Sequence, residues 1–181
     1  YTTHFDGFMR HYLTVKTGDI PRVDEVYVEF KKHALQPEIA SQGVEALVAD
    51  IRAFAGYYCN IVLGAEPVPE LKHAFSDLKD LKVDVSYPLL LEMYDDYTNS
   101  RLQEAELLEA VRLLESYVFR RAACDIPTNS LNKTFTTLSR NLKKDRYLES
   151  IKAQLLLLQS YRRFPSDDEF KRELTIRNLY T

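Results

Sequence analysis

Histidine is the side chain best suited to acid–base or metal chemistry near neutral pH, because its unperturbed pKa is about 6.5. The chain contains His4, His11, His33 and His73. No two of them have the i, i+4 spacing that lets two imidazoles of one helix bind the same metal ion. His4 and His11 can share a helix face, but no acidic cluster accompanies them. We therefore expect surface or helix-edge histidines, with no catalytic residue and no metal ligand.

The other reactive side chains are isolated as well. Cys59 and Cys124 lie in apolar helical sequence without a closely spaced partner, which predicts reduced thiols in the core. The five glycines include no clustered pair, so the sequence has no glycine-rich phosphate loop. The acid pairs Asp95–Asp96 and Asp167–Asp168 are typical of solvated helix ends. The sequence predicts no cofactor site, and we expect no enzymatic activity within these residues alone.

The distribution of charge along the chain gives an indication of a polyanionic partner. Residues 1–100 have 9 basic and 16 acidic side chains, whereas residues 101–181 have 15 and 11. Between residues 112 and 163 the excess is larger, with 11 basic side chains against 4 acidic ones. Clustered cations of this kind favour contact with the phosphates of a nucleic acid. The candidate DNA-backbone contacts are Arg120, Arg121, Lys133, Arg140, Lys143, Lys144 and Arg146.

The same cations also have a structural interpretation. Arg120 and Arg121 fall at the predicted end of a helix, where a guanidinium can bind Asp125 or the last carbonyl groups and complement the helix dipole. Residues 143–146 fall at a predicted corner between two helices, where a solvated loop explains the charges equally well. From the sequence, both interpretations stay open.

The elements that position these residues are helices. Apolar residues recur at the spacing of an amphipathic helix almost throughout, without the alternation that is typical of strands. The sequence therefore predicts an all-α protein, an irregular multi-helix bundle of about nine helices. The predicted helices are a first one over 5–13 that ends at 17–19, then 23–30, a longest one from 37 to 64, then 71–81, 88–97, 103–123, 131–142, 148–158 and a last one from 166 onward.

Particular residues predict where these helices begin and end. Gly64 is expected to end the longest helix, and Pro88 to lie in the first turn of its helix. Pro127 requires that the preceding helix stop before it. The predicted N-terminal caps are Asn129 or Ser130, Asp145, and the pair Ser166 and Glu169, which would form a capping box.

The chain has twelve tyrosines and no tryptophan, so base stacking on aromatic rings has to be considered. Most of these tyrosines fall on the apolar helix stripes, which favours packing at the edge of the core. The tyrosines predicted to pack in this way are Tyr12, Tyr27, Tyr58, Tyr94, Tyr97 and Tyr117.

Length and hydropathy bound the organisation of the chain. A length of 181 residues predicts a single helical region, with a candidate weak seam at residues 95–103. The longest uncharged apolar stretch, residues 53–63, is too short to cross a bilayer, and no signal peptide is recognisable, so we expect a cytoplasmic protein without a membrane partner. Because the chain begins with Tyr1, we expect it to be excised from a longer protein.

Three segments together resemble one protein family. They are LKVDVSYPLLL at 81–91, YVFRRAACDIPTNSLNKTF at 117–135 and FPSDDEFKRELTIRNLY at 164–180. In these segments the chain resembles the central helical region of the GmrSD-type modification-dependent restriction endonucleases. The resemblance implies a bacterial anti-phage defence protein with a ParB-like nucleotide-hydrolysing domain before this region and an HNH nuclease domain after it. The Asp-Gly-Gln-Gln-Arg motif of the first domain and the histidine motif of the second are absent from this sequence.

The resemblance and the charge pattern together give one expected function and one alternative. We expect a non-catalytic helical connecting or scaffold region of a GmrSD-like restriction protein, with the basic second half in contact with the DNA backbone. Its partners would be the flanking domains of the parent chain and DNA. The alternative is a protein-protein interaction or dimerisation module without DNA contact, because the acidic first half complements the basic second half. A homo-oligomer would follow from that alternative.

Overall fold

The computed structural model describes residues 2–176, and this part of the chain consists of ten α-helices without a strand. Nine of the helices have nine residues or more, so the predicted all-α, multi-helix fold is confirmed. No helix in this part is long and apolar enough to span a membrane. The helices are α1 Thr2–Thr17, α2 Val26–Ala34, α3 Pro37–Ala40, α4 Val44–Val62, α5 Pro69–Asp80, α6 Tyr87–Thr98, α7 Glu104–Ala123, α8 Leu131–Arg140, α9 Tyr147–Leu156 and α10 Asp167–Ile176.

Helix α6 is the central element of the fold. It packs against α1, α4, α7 and α8, so that most of its surface is covered by other helices. A helix in such a position needs apolar side chains on every side rather than one apolar stripe. Five of the six buried residues of α6 fit this requirement, and the sixth is the charged residue Asp96. The five are Leu89, Leu90, Leu91, Met93 and Tyr94. Helix α7 forms a second layer and packs against α5, α9 and α10.

Several predicted helix ends are confirmed. Pro88 lies in the first turn of α6, and Gly64 follows the end of α4 with a φ of 74° that favours glycine. Helix α7 covers 104–123, and its first turn is closed by the carboxylate of Glu106, which accepts from the Gln103 backbone N–H at 3.1 Å. At α10 one half of the predicted capping box is confirmed, since the Ser166 hydroxyl accepts from the Glu169 N–H at 3.2 Å. The Glu169 carboxylate binds the Arg163 guanidinium.

Other predicted ends are wrong. The helix expected from Pro37 to Gly64 is interrupted at Gly43, whose φ of 84° is left-handed, so the chain forms the one-turn α3 and then α4, and the longest helix is α7. Residue Arg146, not Asp145, precedes α9. Ser130 does precede α8, but its side chain makes no capping hydrogen bond there. Residues 177–180 of the segment 164–180 lie outside the described residues.

Two predictions about burial are also wrong. Cys59 is exposed, because the buried face of α4 is formed by Phe54, Tyr58 and Ile61, and Cys59 points away from it. Cys124 is partly buried. Tyr27 is 71% exposed, because α2 packs on the rest of the protein through Val26 and His33, which lie on a different face of the helix. The remaining predicted core-edge tyrosines are buried or partly buried.

A cluster of four polar residues lies against the central helix, and we call it the Asp96 cluster: Asp96, Arg101, Lys144 and Tyr147. Asp96 is fully buried, and its carboxylate accepts from Arg101 at 2.8 Å, from Lys144 at 2.7 Å and from the Tyr147 hydroxyl at 2.8 Å. Burial alone would raise the pKa of Asp96, but the hydrogen bonds from Lys144, Arg101 and Tyr147 outweigh it and lower that pKa. The prediction of a solvated helix end is therefore wrong for Asp96.

The structure predicts that Asp96→Asn lowers the free energy of unfolding by about 2–4 kcal/mol at pH 7, because the substitution leaves the Lys144 and Arg101 cations without their buried counter-ion. Asp95→Asn is the matched control, since Asp95 lies next to Asp96 on the same helix and is only partly buried. Urea unfolding monitored by circular dichroism measures the free energy of unfolding of both variants. Equal losses for the two variants would contradict the assigned role of Asp96.

Candidate functional site

Arg121 lies in the last turn of α7 and is buried, with only 2% of the residue exposed. Its guanidinium donates to the Tyr161 carbonyl at 2.7 Å, to the Pro127 carbonyl at 2.6 Å and to the Ser130 hydroxyl at 3.2 Å. The guanidinium carbon also lies 5.3 Å from the centroid of the Tyr117 ring. Arg121 therefore joins the end of α7 to the start of α8 and to the segment that follows α9.

Arg120 makes a second connection from α7, to the start of α10. Its guanidinium donates to the Asp167 carboxylate at 2.5 Å and to the Pro165 carbonyl at 3.2 Å. It also lies over the Phe164 and Phe170 rings, 5.6 and 5.0 Å from their centroids. These contacts support the structural interpretation of the arginine pair, since both guanidinium groups bind protein groups that are distant in sequence.

The other candidate DNA contacts differ in the protein groups that they bind. Lys144 belongs to the Asp96 cluster and also lies 3.3 Å from the Glu92 carboxylate. Arg140 donates to the Gly18 carbonyl at 2.6 Å and pairs with the highly exposed Asp19 at 3.3 Å. In the described part of the chain, Lys133 and Lys143 are exposed and have no carboxylate partner, and Arg146, just before α9, pairs with Glu149 in the first turn of that helix at 2.6 Å.

The seven candidates therefore separate into two groups. Arg120, Arg121 and Lys144 bind buried or structurally distant groups, so contact with DNA would break those interactions. The other four residues, Lys133, Arg140, Lys143 and Arg146, are exposed. In the described part of the chain Lys133 and Lys143 have no carboxylate partner, and the exposed ion pair of Arg146 contributes at most about 1 kcal/mol. Arg140 is also exposed, but contact with DNA would compete with its hydrogen bond to the Gly18 carbonyl. DNA contact itself stays a prediction.

A cleft of about 310 Å³ lies between α1, α6 and α8, and we call it the α1–α8 cleft. Its polar walls bring together residues from distant parts of the sequence: Arg10 and His11 from α1, Asp84 and Glu92 from before and within α6, and Ser139, Arg140 and Lys144 from the end of α8 and the following loop. The Ser139 hydroxyl donates to the Glu92 carboxylate, and that carboxylate also pairs with Lys144. Arg10 and His11 are the polar groups of α1 that this network does not include.

His11 is buried in the wall of the cleft, with 9% of the residue exposed. Its imidazole packs against the Tyr58 and Tyr87 rings, with centroids 6.3 and 5.4 Å away. Burial lowers the pKa of His11 from 6.5 to about 4, since the effect of the Asp84 carboxylate, which favours the charged form, is smaller. The imidazole is therefore neutral at neutral pH, with one nitrogen that donates and one that accepts.

The prediction of surface histidines is wrong for two of the four. His4 and His73 are exposed, but His11 and His33 are buried, at 9% and 3% exposure. The apolar spacing contained this information, because His11 lies three residues after Phe8 and His33 three residues after Phe30, on the inward stripes of α1 and α2. The signal for burial was the position of His11 and His33 on these apolar stripes, not the spacing between the histidines.

Three comparisons with known proteins, against family models, curated proteins and solved structures, find no match to this chain. Within residues 2–176, no group of three or more His, Cys, Asp or Glu side chains is arranged to bind a metal ion.

The buried, neutral His11 predicts a pH dependence of stability. Its folded-state pKa lies below its unfolded value, so the unfolded chain binds the proton more readily, and stability is lost as the pH falls from about 6.5 toward 4. The expected loss is up to about 3 kcal/mol at full protonation. His11→Phe retains the ring packing and should flatten this part of the pH profile.

Urea unfolding at several pH values between neutrality and the acid range measures the effect. His73→Gln is the control, because it also removes one imidazole but from an exposed position on α5. Burial lowers the pKa of His33 as well, so part of the slope should persist in His11→Phe. An unchanged slope in His11→Phe would contradict the burial of a neutral His11.

Proposed function

We propose that this chain is a helical connecting or scaffold region of a GmrSD-like restriction protein, which joins a nucleotide-hydrolysing domain to a nuclease domain and contacts the DNA backbone. The observation that best supports a scaffold role is the set of hydrogen bonds made by the buried Arg121. Its guanidinium binds the Pro127 and Tyr161 carbonyl groups and the Ser130 hydroxyl. Such a contact stabilises the relative positions of α7, α8 and the segment before α10, which a connecting region requires. The segments 81–91, 117–135 and 164–180 support the parent family.

The gene that encodes this region tests the parent family directly. An Asp-Gly-Gln-Gln-Arg motif encoded before this region and a histidine-rich nuclease motif encoded after it would support the restriction function. A gene that encodes neither motif would contradict it.

In this proposal the DNA backbone is contacted by Lys133, Arg140, Lys143 and Arg146, the four exposed members of the basic set. Lys133 and Arg140 are seven residues apart on α8, about two turns, and therefore project from a similar side of that helix. Lys143 and Arg146 follow in the loop before α9. A series of exposed cations on one helix and the adjacent loop suits contact with successive phosphates, which is salt-sensitive and largely independent of sequence.

The DNA contact predicts that Lys133→Glu with Lys143→Glu weakens binding of duplex DNA about tenfold or more at low salt, and lowers the slope of affinity against salt by about 2. Lys31→Glu with Lys72→Glu is the matched control, since both lysines are exposed in the acidic half and the change in net charge is identical. Gel-shift titrations at several salt concentrations measure both effects. Equal weakening by the two double variants would assign the effect to net charge alone and contradict the interface.

One observation favours the second candidate function, a dimerisation module. A shallow groove runs along the outer face of α4, with Val44 76% and Val48 57% exposed. The groove also includes Ala49, Ala53 and Gly56, so its floor is formed by small residues that permit close approach of another helix. An apolar, unpartnered helix face of this kind is typical of a contact with another protein chain, here a second copy.

Dimerisation through α4 predicts a concentration-dependent dimer in sedimentation equilibrium that Val48→Glu converts to a monomer, because the substitution places a charge in the apolar contact. Val28→Glu is the control, since Val28 is similarly exposed, at 49%, but belongs to α2. A wild-type chain that is monomeric at all concentrations would exclude this candidate function and leave the connecting region as the sole proposal.

A further inference from the structure

The α1–α8 cleft contains a cation without a counter-ion. Arg10 is partly buried in its wall, and its Nε donates to the Pro21 carbonyl at 2.8 Å. A guanidinium has five N–H donors, and among residues 2–176 the remaining four of Arg10 have no protein acceptor and no carboxylate within 4.0 Å. The other two cations of the cleft, Arg140 and Lys144, are each paired with carboxylates. Arg10 is therefore the cleft cation that can accept an anion without the loss of an existing ion pair.

His11 is a second unsatisfied group, next to Arg10 on α1. The residue is 9% exposed, lines the cleft, and makes no hydrogen bond to the described part of the chain. Its nitrogens are not fully buried, so they keep contact with the open cleft. The neutral imidazole has one N–H to donate, so the same ligand that binds Arg10 can accept from His11. Two unpaired donors on one helix thus border one cavity.

The rest of the cleft is suited to an apolar body rather than to a bare ion. Leu89 from α6, Val85 from the turn before it and Phe135 from α8 are among the apolar side chains that line it. The volume of about 310 Å³ lies at the lower end of ligand pockets. It has room for on the order of ten water-sized groups, so a ligand with about that many non-hydrogen atoms would fit.

The charges that face the cleft permit an anion but limit its position. The cations Arg10, Arg140 and Lys144 and the carboxylates Asp84 and Glu92 line the cleft, with His11 neutral. Arg140 and Lys144 also pair with Asp19 and Asp96, so Arg10 and Asp84 are the charges of the lining that have no ion pair within the described residues. Glu92 is neutralised by Lys144 and by the Ser139 hydroxyl, whereas Asp84 is exposed. An anion is therefore favoured next to Arg10.

We propose that the α1–α8 cleft binds a small organic anion, with a phosphate monoester or carboxylate group on Arg10 and His11 and a compact apolar body against Leu89, Val85 and Phe135. Arg10 supplies paired, charge-assisted N–H donors to the anionic oxygens. His11 supplies one further donor and, through its packing on Tyr58 and Tyr87, a fixed orientation. Of the proposed DNA contacts, Arg140 also lines the cleft, but Lys133 and Lys143, which the DNA test changes, do not, so either proposal can fail without the other.

Isothermal titration with four probes tests the site: phenyl phosphate, benzoate, inorganic phosphate and the neutral phenol. We expect phenyl phosphate or benzoate to bind with a dissociation constant on the order of 1 mM or below, more tightly than inorganic phosphate or phenol. Tighter binding of phenyl phosphate assigns a phosphate ester as the ligand class, and tighter binding of benzoate assigns a carboxylate. Binding of phenol as tight as that of both anions would overturn the proposal, since the pocket would then be only apolar.

Variants identify the anion-binding residue. Arg10→Gln should weaken the tighter anion about tenfold or more, because a charge-assisted contact is lost. Arg52→Gln removes the same charge from the exposed face of α4 and should change the affinity less than about twofold, since a distant exposed charge is screened. Equal effects of the two variants would overturn the assignment to the cleft.

If Arg10→Gln does not fold, two further measurements can still support or contradict the proposal. His11→Phe retains the ring packing and should also weaken the anion, and an affinity equal to that of the wild type would contradict the proposed donor. In the wild-type chain, the backbone amide resonances of Arg10, His11 and Phe135 should shift during titration with phenyl phosphate or benzoate. Shifts confined to other parts of the molecule at millimolar probe concentrations would overturn the site.

Discussion

The buried carboxylate of Asp96 is the constraint on which the arrangement of the molecule most depends. A fully buried charge on the central helix is tolerated only if donors surround it, and here they come from two stretches of the chain, Arg101 from one and Lys144 and Tyr147 from the other. The turn after α6, the loop before α9 and the first residue of α9 must therefore approach the same point of α6. Lys144, which is positioned in this way, is also a wall of the α1–α8 cleft. The geometry of the cleft thus depends on the same carboxylate.

The fold was predictable from the sequence where local chemistry determines structure. The apolar spacing of α1, α5 and α7, the proline at the start of α6 and Gly64 after α4 each act within one or two turns of the chain, and each was confirmed. The break at Gly43 was not predicted, because apolar residues continue at helical spacing on both sides of it. Burial of Asp96 was not predicted either, since its cationic partners are 5 and 48 residues away and the carboxylate itself gives no sign of their approach. The burial of a charged residue such as Asp96 is determined by its partners elsewhere in the chain.

The basic segment shows why a count of charges overstates the cationic surface that is available to a partner. Arg121 and Lys133 contribute equally to the count, but Arg121 is 98% buried and bound on both amino groups, whereas Lys133 is exposed. An arginine at a helix end can satisfy carbonyl groups of another segment as well as it can bind phosphate, because both are acceptors that suit its forked donors. The sequence alone does not show whether an arginine binds carbonyl groups or phosphate. The structure shows that Arg121 binds the Pro127 and Tyr161 carbonyl groups, and tertiary packing brings these groups to it.

The α1–α8 cleft lies between a helix of the acidic half and a helix of the basic half, so a molecule bound there would contact both. The Arg140 hydrogen bond to the Gly18 carbonyl joins the ends of these two helices at the edge of the cleft. A molecule that binds only when α1 and α8 are adjacent stabilises that arrangement by the free energy of its binding. Because α8 also presents Lys133 and Arg140, occupancy of the cleft and the orientation of the exposed cations are properties of the same helix. Because Leu131, Phe135 and Leu138 of α8 are part of the core that surrounds α6, a shift of α8 on ligand binding would require the core to adjust with it.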